Sequence, residues 1–181
     1  MAVNQRLLVL VGATRNEARN IPMVIADLAQ ARDELRELET ELELIVIDDA
    51  STDDTVKRLH AEAELRGLRV QVFDGPERGL SQAIAAGLRL ALQTPATCIG
   101  TIDFDGQHDP VELPAVVAAL GEMTPSPDCV FGSRFLAIPP ETGSVFQGML
   151  DSVAIGASVP VASLDGLADQ RQHLVPCLSC G

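Results

Sequence analysis

Tryptophan and tyrosine do not occur in the 181-residue chain, and aromatic residues make up only 3% of it, so any core must be aliphatic. Cations are scarce as well: 13 Lys and Arg face 26 Asp and Glu, a net charge of −13. That balance argues against nucleic acid, or an anionic membrane bound through bulk charge, as a partner. A phosphate compound would have to be gripped locally. Long apolar runs are lacking too. The longest uncharged stretches, Leu90 to Ile102 and Ser152 to Leu164, fall short of the ~20 residues that cross a bilayer, so no transmembrane segment is expected. The apolar run Leu7 to Val11 is shorter than the ~7–15 residues of a signal-peptide core, which makes a cytoplasmic location the expectation. Cys98, Cys129, Cys177 and Cys180 are too few to form a disulfide framework for a chain this long. What remains, 46% hydrophobic and 22% charged, is the composition of an ordinary globular domain.

Apolar runs of strand length alternate with stretches of helical period, the signature of a mostly parallel sheet covered by helices. Strands are expected at Leu7–Val11, Leu42–Ile47, Leu68–Phe73, Thr97–Ile102 and Cys129–Phe131. Between the first two, Asn20-Ile21-Pro22 supplies a cap and an early proline, and Ile21, Ile25, Leu28, Leu35 and Leu38 keep helical spacing. Ser51-Thr52-Asp53-Asp54 offers capping hydroxyls and acids for a second helix, closed by Gly67. Gly79 precedes a third helix, and Asp109-Pro110-Val111-Glu112 reads as cap, proline and acid for a fourth. After Phe135 no sustained period is visible, so residues 1–135 are expected to form one domain and 136–181 a poorly patterned tail.

In open α/β sheets, ligands bind beyond the carboxyl ends of the strands, and the polar residues gather at those ends. Thr14, Asn16 and Glu17 follow the first strand, Asp48 and Asp49 the second, Asp103, Asp105 and Gln107 the fourth, and Arg134 the fifth. Asp103 and Asp105, two apart in extended chain, project to one side roughly 6.6 Å apart. At an effective dielectric of ~20 their charges repel by about 2.5 kcal/mol. A divalent cation relieves that repulsion, and oxygen ligands suit Mg²⁺ or Mn²⁺ better than zinc. Gln107 could add a neutral oxygen. The same acids also suit plain turn and cap chemistry, Asp48 and Asp49 leading into Ser51 and Thr52 above all, and the two roles can coexist. His60, His108 and His173 have no ligand spacing to a partner, and Cys177-x-x-Cys180 has no second half.

Five stretches in order resemble the GT-A-type family 2 glycosyltransferases, and within them the dolichyl-phosphate mannose synthase-like, polyprenyl-phosphate glycosyltransferase branch. They are Thr14-Arg15-Asn16-Glu17-Ala18-Arg19-Asn20-Ile21-Pro22; Val46-Ile47-Asp48-Asp49-Ala50-Ser51-Thr52-Asp53-Asp54-Thr55; Arg78-Gly79-Leu80-Ser81; Asp103-Phe104-Asp105-Gly106-Gln107-His108-Asp109-Pro110; and Gly132-Ser133-Arg134-Phe135. The resemblance implies a GT-A-like doubly wound α/β fold, with helices on both faces and a C-terminus that is incomplete against the family pattern. It also implies a nucleotide-sugar donor contacted by Glu17, Ile47, Asp49, Asp103 and the Phe104 backbone. A Mg²⁺ or Mn²⁺ would be held by Asp103, Asp105 and Gln107, with Asp105 and Arg134 as the candidate catalytic residues.

The implied reaction is metal-dependent, inverting transfer of a hexose from a GDP- or UDP-linked donor to a polyprenyl phosphate or similar acceptor, at the cytoplasmic membrane face and with peripheral membrane contact. Two features depart from the family. Where it usually has Pro-x-Tyr-Asn-Glu, this chain has Ala13-Thr14-Arg15-Asn16-Glu17, so the aromatic contact is absent. Nothing in 136–181 matches the family's acceptor half. Donor binding without transfer, by a truncated or divergent domain, is therefore a second expectation. A metal-dependent phosphotransferase with Asp103 as nucleophile is a third.

Overall fold

Leu8, Val9, Leu10 and Val11 are all fully buried, although alternate residues of a strand face opposite ways, so both faces of the first strand must be covered. The computed structural model, which describes residues 6–122, 129–131 and 154–156, shows how. Strand β1 (Arg6–Thr14) leads through helix α1 (Ile21–Glu37) to β2 (Thr40–Asp48), then through α2 (Thr55–Arg66) to β3 (Arg69–Asp74). Helix α3 (Leu80–Ala91) returns the chain to β4 (Cys98–Asp103). A 3-10 turn at Pro110–Glu112 opens into α4 (Leu113–Glu122), and two short strands follow, β5 (Cys129–Phe131) and β6 (Ala154–Gly156).

The sheet order is β3-β2-β1-β4-β6-β5, with β1 to β4 mutually parallel. Leu8, Leu10, Leu42, Leu44 and Val46 pack on one face beneath α1, α2 and α4. Val9, Val11, Ile45 and Ile47 pack on the other, against Ala83 and Ala91 of α3. Helices therefore cover both faces, as a doubly wound sheet requires. The α3 layer sits close because Gly87 has no side chain; a Cβ there would stand 2.4 Å from Val11 Cγ1.

The fifth strand forms where the apolar run indicates, but it does not pair with β4. Strand β6 lies between them, antiparallel to both, and it comes from the stretch in which the sequence shows no strand pattern. At three residues it is too short for a period to register. Gly67 closes α2 in a left-handed conformation as expected. Asn20 precedes α1 but makes no side-chain cap, because its amide donates to Glu17 Oε2 at 2.7 Å instead.

Register decides what the carboxyl edge presents. Thr14 pairs with Asp48, Asp48 with Asp74, and Ala13 with Asp103, so the polar strand ends arrive side by side. The strand order reverses between β1 and β4, which is where an open α/β sheet leaves a crevice. Phe104 anchors that crevice from below. Its ring is 1% exposed and lies over Gly12, where a Cβ would stand 2.1 Å from Phe104 Cε2 and 3.0 Å from the Ile102 carbonyl. Gly12→Ala must push the ring aside, and we expect a loss of about 1–3 kcal/mol in urea denaturation. An unchanged unfolding midpoint would show that Phe104 does not depend on the missing side chain.

Candidate functional site

A cleft of about 240 Å³ opens at the carboxyl edge of β1, β2 and β4. The loop after β1 lines it with Thr14, Arg15 and Glu17, and Asp49 enters from the end of β2. Gly79 and Leu80 close one side at the head of α3, and Asp103, Phe104 and Asp105 close the other. Four carboxylates thus share the wall with one cation, Arg15.

The loops after β1 and β2 are stitched together by side chains. Asn16, held at φ 59°, accepts from the Thr52 backbone N–H at 2.8 Å and the Thr52 hydroxyl at 3.2 Å, and donates its own N–H to Ser51 Oγ at 2.9 Å. The Ser51 hydroxyl and backbone N–H donate in turn to the two Asp48 oxygens at 2.5 and 3.0 Å. The Ala18 N–H reaches Asp53 Oδ2 at 3.3 Å. The Thr55 side chain and N–H also donate to Asp53, holding its carboxyl below the ordinary value. Ser51 and Thr52, expected as caps for α2, therefore serve as cross-links between loops.

Neighbouring acids divide the work. Asp48 is consumed within its own turn. Asp49 faces the cleft: its N–H is fixed by the Thr14 carbonyl at 2.9 Å and its Oδ2 by the Gly79 N–H at 2.9 Å. Its Oδ1 has no partner although the residue is 3% exposed, and the hydroxyl of Thr14, also 3% exposed, is unpartnered too. Leaving a buried polar atom unpaired costs about 1–3 kcal/mol, so these two residues of the cleft lining keep hydrogen-bonding capacity for a ligand or a water.

Across the cleft, Asp103 ends β4 half-buried. Burial pushes its carboxyl above the ordinary range, with His108 opposing that rise and the charge of Asp105 adding to it. Asp105 is exposed and caps its own turn, accepting the Gln107 N–H at 2.8 Å. His108 sits beside Asp103: its Nδ1 accepts the Asp103 backbone N–H at 3.0 Å, and its Nε2 stands 3.7 Å from Asp103 Oδ2.

Of the residues singled out from sequence, Glu17, Asp49, Asp103, Phe104 and Asp105 come together on the cleft wall. The Ile47 side chain does not; it is buried in the core beneath α3. Gln107 is exposed on the turn beyond Asp105 and is not part of the wall. Arg134, Cys177 and Cys180 lie outside the described residues. His108, Arg15 and Gly79 belong to the site without having been chosen as site residues, and His108 carries no periodic signal because a loop alone brings it back to Asp103.

Among the described residues, no group of three or more His, Cys, Asp or Glu side chains converges as a metal cage. Two carboxylates suffice for a cation that keeps waters and takes its other oxygens from phosphate, as Mg²⁺ does. The chemistry of Asp103 and Asp105 fits such an ion.

The profile of glycosyl transferase family 2 matches residues 10–147. An undecaprenyl-phosphate 4-deoxy-4-formamido-L-arabinose transferase from Proteus mirabilis is 32% identical over 108 residues, 59% of this chain and 31% of that protein. A polyprenol monophosphomannose synthase from Mycolicibacterium smegmatis is 29% identical over 133 residues, 73% of this chain and 46% of that protein. The solved structure of a mannosyltransferase from Pyrobaculum calidifontis in complex with GDP-Man and Mn²⁺ aligns with a TM-score of 0.53 at 27% identity, over 68% of this chain and 34% of that one. The chain thus spans less than half the length of the curated relatives it matches. With more than half of its own length inside the family profile, and with the polar strand ends gathered at one cleft, the chain belongs to glycosyl transferase family 2.

Proposed function

We propose that this domain binds a GDP- or UDP-linked hexose together with Mg²⁺ or Mn²⁺ and transfers the sugar with inversion to a polyprenyl phosphate at the cytoplasmic membrane face. The observation that carries this reading is the pair of unpartnered buried atoms, Asp49 Oδ1 and Thr14 Oγ1, in the same cleft as Asp103 and Asp105. The first pair, with Glu17, offers acceptors to the hydrogen-bond donors of a nucleoside. The second faces the diphosphate. The named activities of the relatives support a lipid-phosphate acceptor.

Electrostatics supports the metal. A diphosphate entering a wall of Glu17, Asp49, Asp103 and Asp105, countered by Arg15 alone, meets like charge on every side. Asp103 and Asp105 would hold the ion, with Gln107 next along the same turn, and the bound ion would offset charge on the departing nucleoside diphosphate. The chain's own residues then orient the donor. An acceptor phosphate oxygen attacks the anomeric carbon from the open side as the bond to the diphosphate breaks. Arg134, on a segment outside the described residues, is the candidate that would face the sugar phosphate. No helix among the described residues is long and apolar enough to cross a membrane. A second reading, which the same cleft supports, is donor binding without transfer.

Calorimetric titration of GDP and UDP with and without Mn²⁺ tests the proposal. The parent chain is expected to bind one of them at least about tenfold more tightly with the metal, and Asp105→Ala to lose that gain, worth ~1.4 kcal/mol. Equal binding with and without Mn²⁺ would contradict it. Sugar transfer to a polyprenyl phosphate separates the full reaction from binding alone.

Asp103 also makes a stability prediction. Because burial raises its pKa in the folded state, its contribution to stability is present below the ordinary carboxylate pKa and is lost as pH rises through the folded value. Asp103→Asn should therefore raise the neutral-pH melting temperature of the metal-free protein while removing the Mn²⁺ effect. Water at the cleft screens the gain to about 1 kcal/mol or less. A lower melting temperature would show that the charge stabilises the fold.

A further inference from the structure

The geometry points to His108 as a positioning residue that holds Asp103 for the ion and the diphosphate. This inference rests on the donor-binding reading above. Pairing between β4 and β6 stops at Thr101, and the Asp103 N–H, beyond the end of that ladder, is taken by His108 Nδ1 at 3.0 Å. A backbone N–H can only donate, so Nδ1 is the accepting nitrogen and the ring N–H lies on Nε2. That nitrogen stands 3.7 Å from Asp103 Oδ2. One imidazole therefore fixes the backbone of Asp103 and faces its carboxylate, and no other side chain among the described residues stands within ion-pair range of that carboxylate.

The rest of the turn shows why such a hold matters. Phe104 is locked into the core and cannot let its neighbours drift far. Asp105 is held by its bond from the Gln107 N–H. Asp103 lacks a comparable bond from its own turn, and burial disfavours its charged form, with His108 opposing that effect and the nearby Asp105 adding to it. Left alone, its carboxylate would turn toward water and away from Asp105. His108, reaching back five residues, closes the loop around both acids and keeps their oxygens on the cleft side. Partners of this kind, which orient a metal-binding carboxylate without touching the ion, change metal affinity by about 10–100-fold when removed.

The test uses the full chain as parent, His108→Ala and His108→Asn, because the Asn oxygen can still accept the Asp103 N–H. We expect His108→Ala to weaken Mn²⁺-assisted nucleotide binding about tenfold or more. His108→Asn should restore affinity to within about threefold of the parent. In ¹⁵N spectra of the ligand-free parent, His108 should show a bare Nδ1 and a protonated Nε2. Parent-like Mn²⁺-assisted binding in His108→Ala, or no rescue by His108→Asn, would overturn the inference. So would a protonated Nδ1. If the parent itself gains nothing from Mn²⁺, the donor-binding reading fails, and the inference that His108 serves the ion fails with it; the tautomer then separately decides whether His108 grips the Asp103 backbone.

Discussion

Repulsion among carboxylates gathered at one edge of a sheet is the constraint on which the rest of this structure depends. Parallel pairing in the observed register sets Thr14 beside Asp48 and Ala13 beside Asp103, so folding itself brings the acids together. Like charges held this close repel, by about 2–3 kcal/mol for two carboxylates ~6–7 Å apart at an effective dielectric near 20. The protein answers in two ways. Some acids are hydrogen-bonded in place, as Asp48 is by Ser51 and Asp53 by Thr55. Others are left facing the cleft, and Asp49, Asp103 and Asp105 are the ones a ligand and a cation would satisfy.

That division needs rigid loops, and the chain takes on backbone strain to make them. Asn16 and Ala50 both adopt positive φ, at 59° and 65°, beside the cleft. Asparagine tolerates that conformation readily; alanine does so at a cost of about 1–3 kcal/mol. The bonds from Asn16 to Ser51 and Thr52, and from Asp49 to Thr14 and Gly79, hold these turns in place. Below them, Phe104 over Gly12 ties the acid-bearing turn after β4 to the centre of the sheet. The cleft is thus built on packed aliphatic layers, as a chain with almost no aromatic residues requires.

Much of this was legible in the residues. Runs such as Leu7–Val11 and Leu42–Ile47 announce buried strands because both their faces are apolar, and Ile21, Ile25, Leu28 and Leu35 announce α1 by spacing. The acids beyond the strands follow from the rule that parallel sheets bind at their carboxyl ends. What escaped detection depends on the third dimension. Strand β6 is three residues of small and branched side chains, stable only because β4 and β5 flank it. Ser51 and Thr52 look like helix caps in one dimension, yet they bond Asn16 and Asp48 once β1 and β2 are adjacent. Nothing in the spacing of His108 marks it as a partner of Asp103, since a loop return has no period. Asp48 and Asp49 are told apart in the sequence only by the family resemblance, and it is the turn between strand and helix that ties Asp48 to Ser51 and leaves Asp49 on the cleft.

The central claim is that Asp103 and Asp105 form one cation site with a nucleoside diphosphate bound against Thr14 and Asp49. Paramagnetic line broadening reads this directly: substoichiometric Mn²⁺ added to the ¹⁵N-labelled chain with saturating GDP or UDP. The account predicts that amide signals from Asp103 to His108 vanish first, followed by those of Thr14 and Asp49, while the far ends of the same strands stay sharp. Broadening spread evenly over the acidic surface, or centred away from this edge, would contradict it.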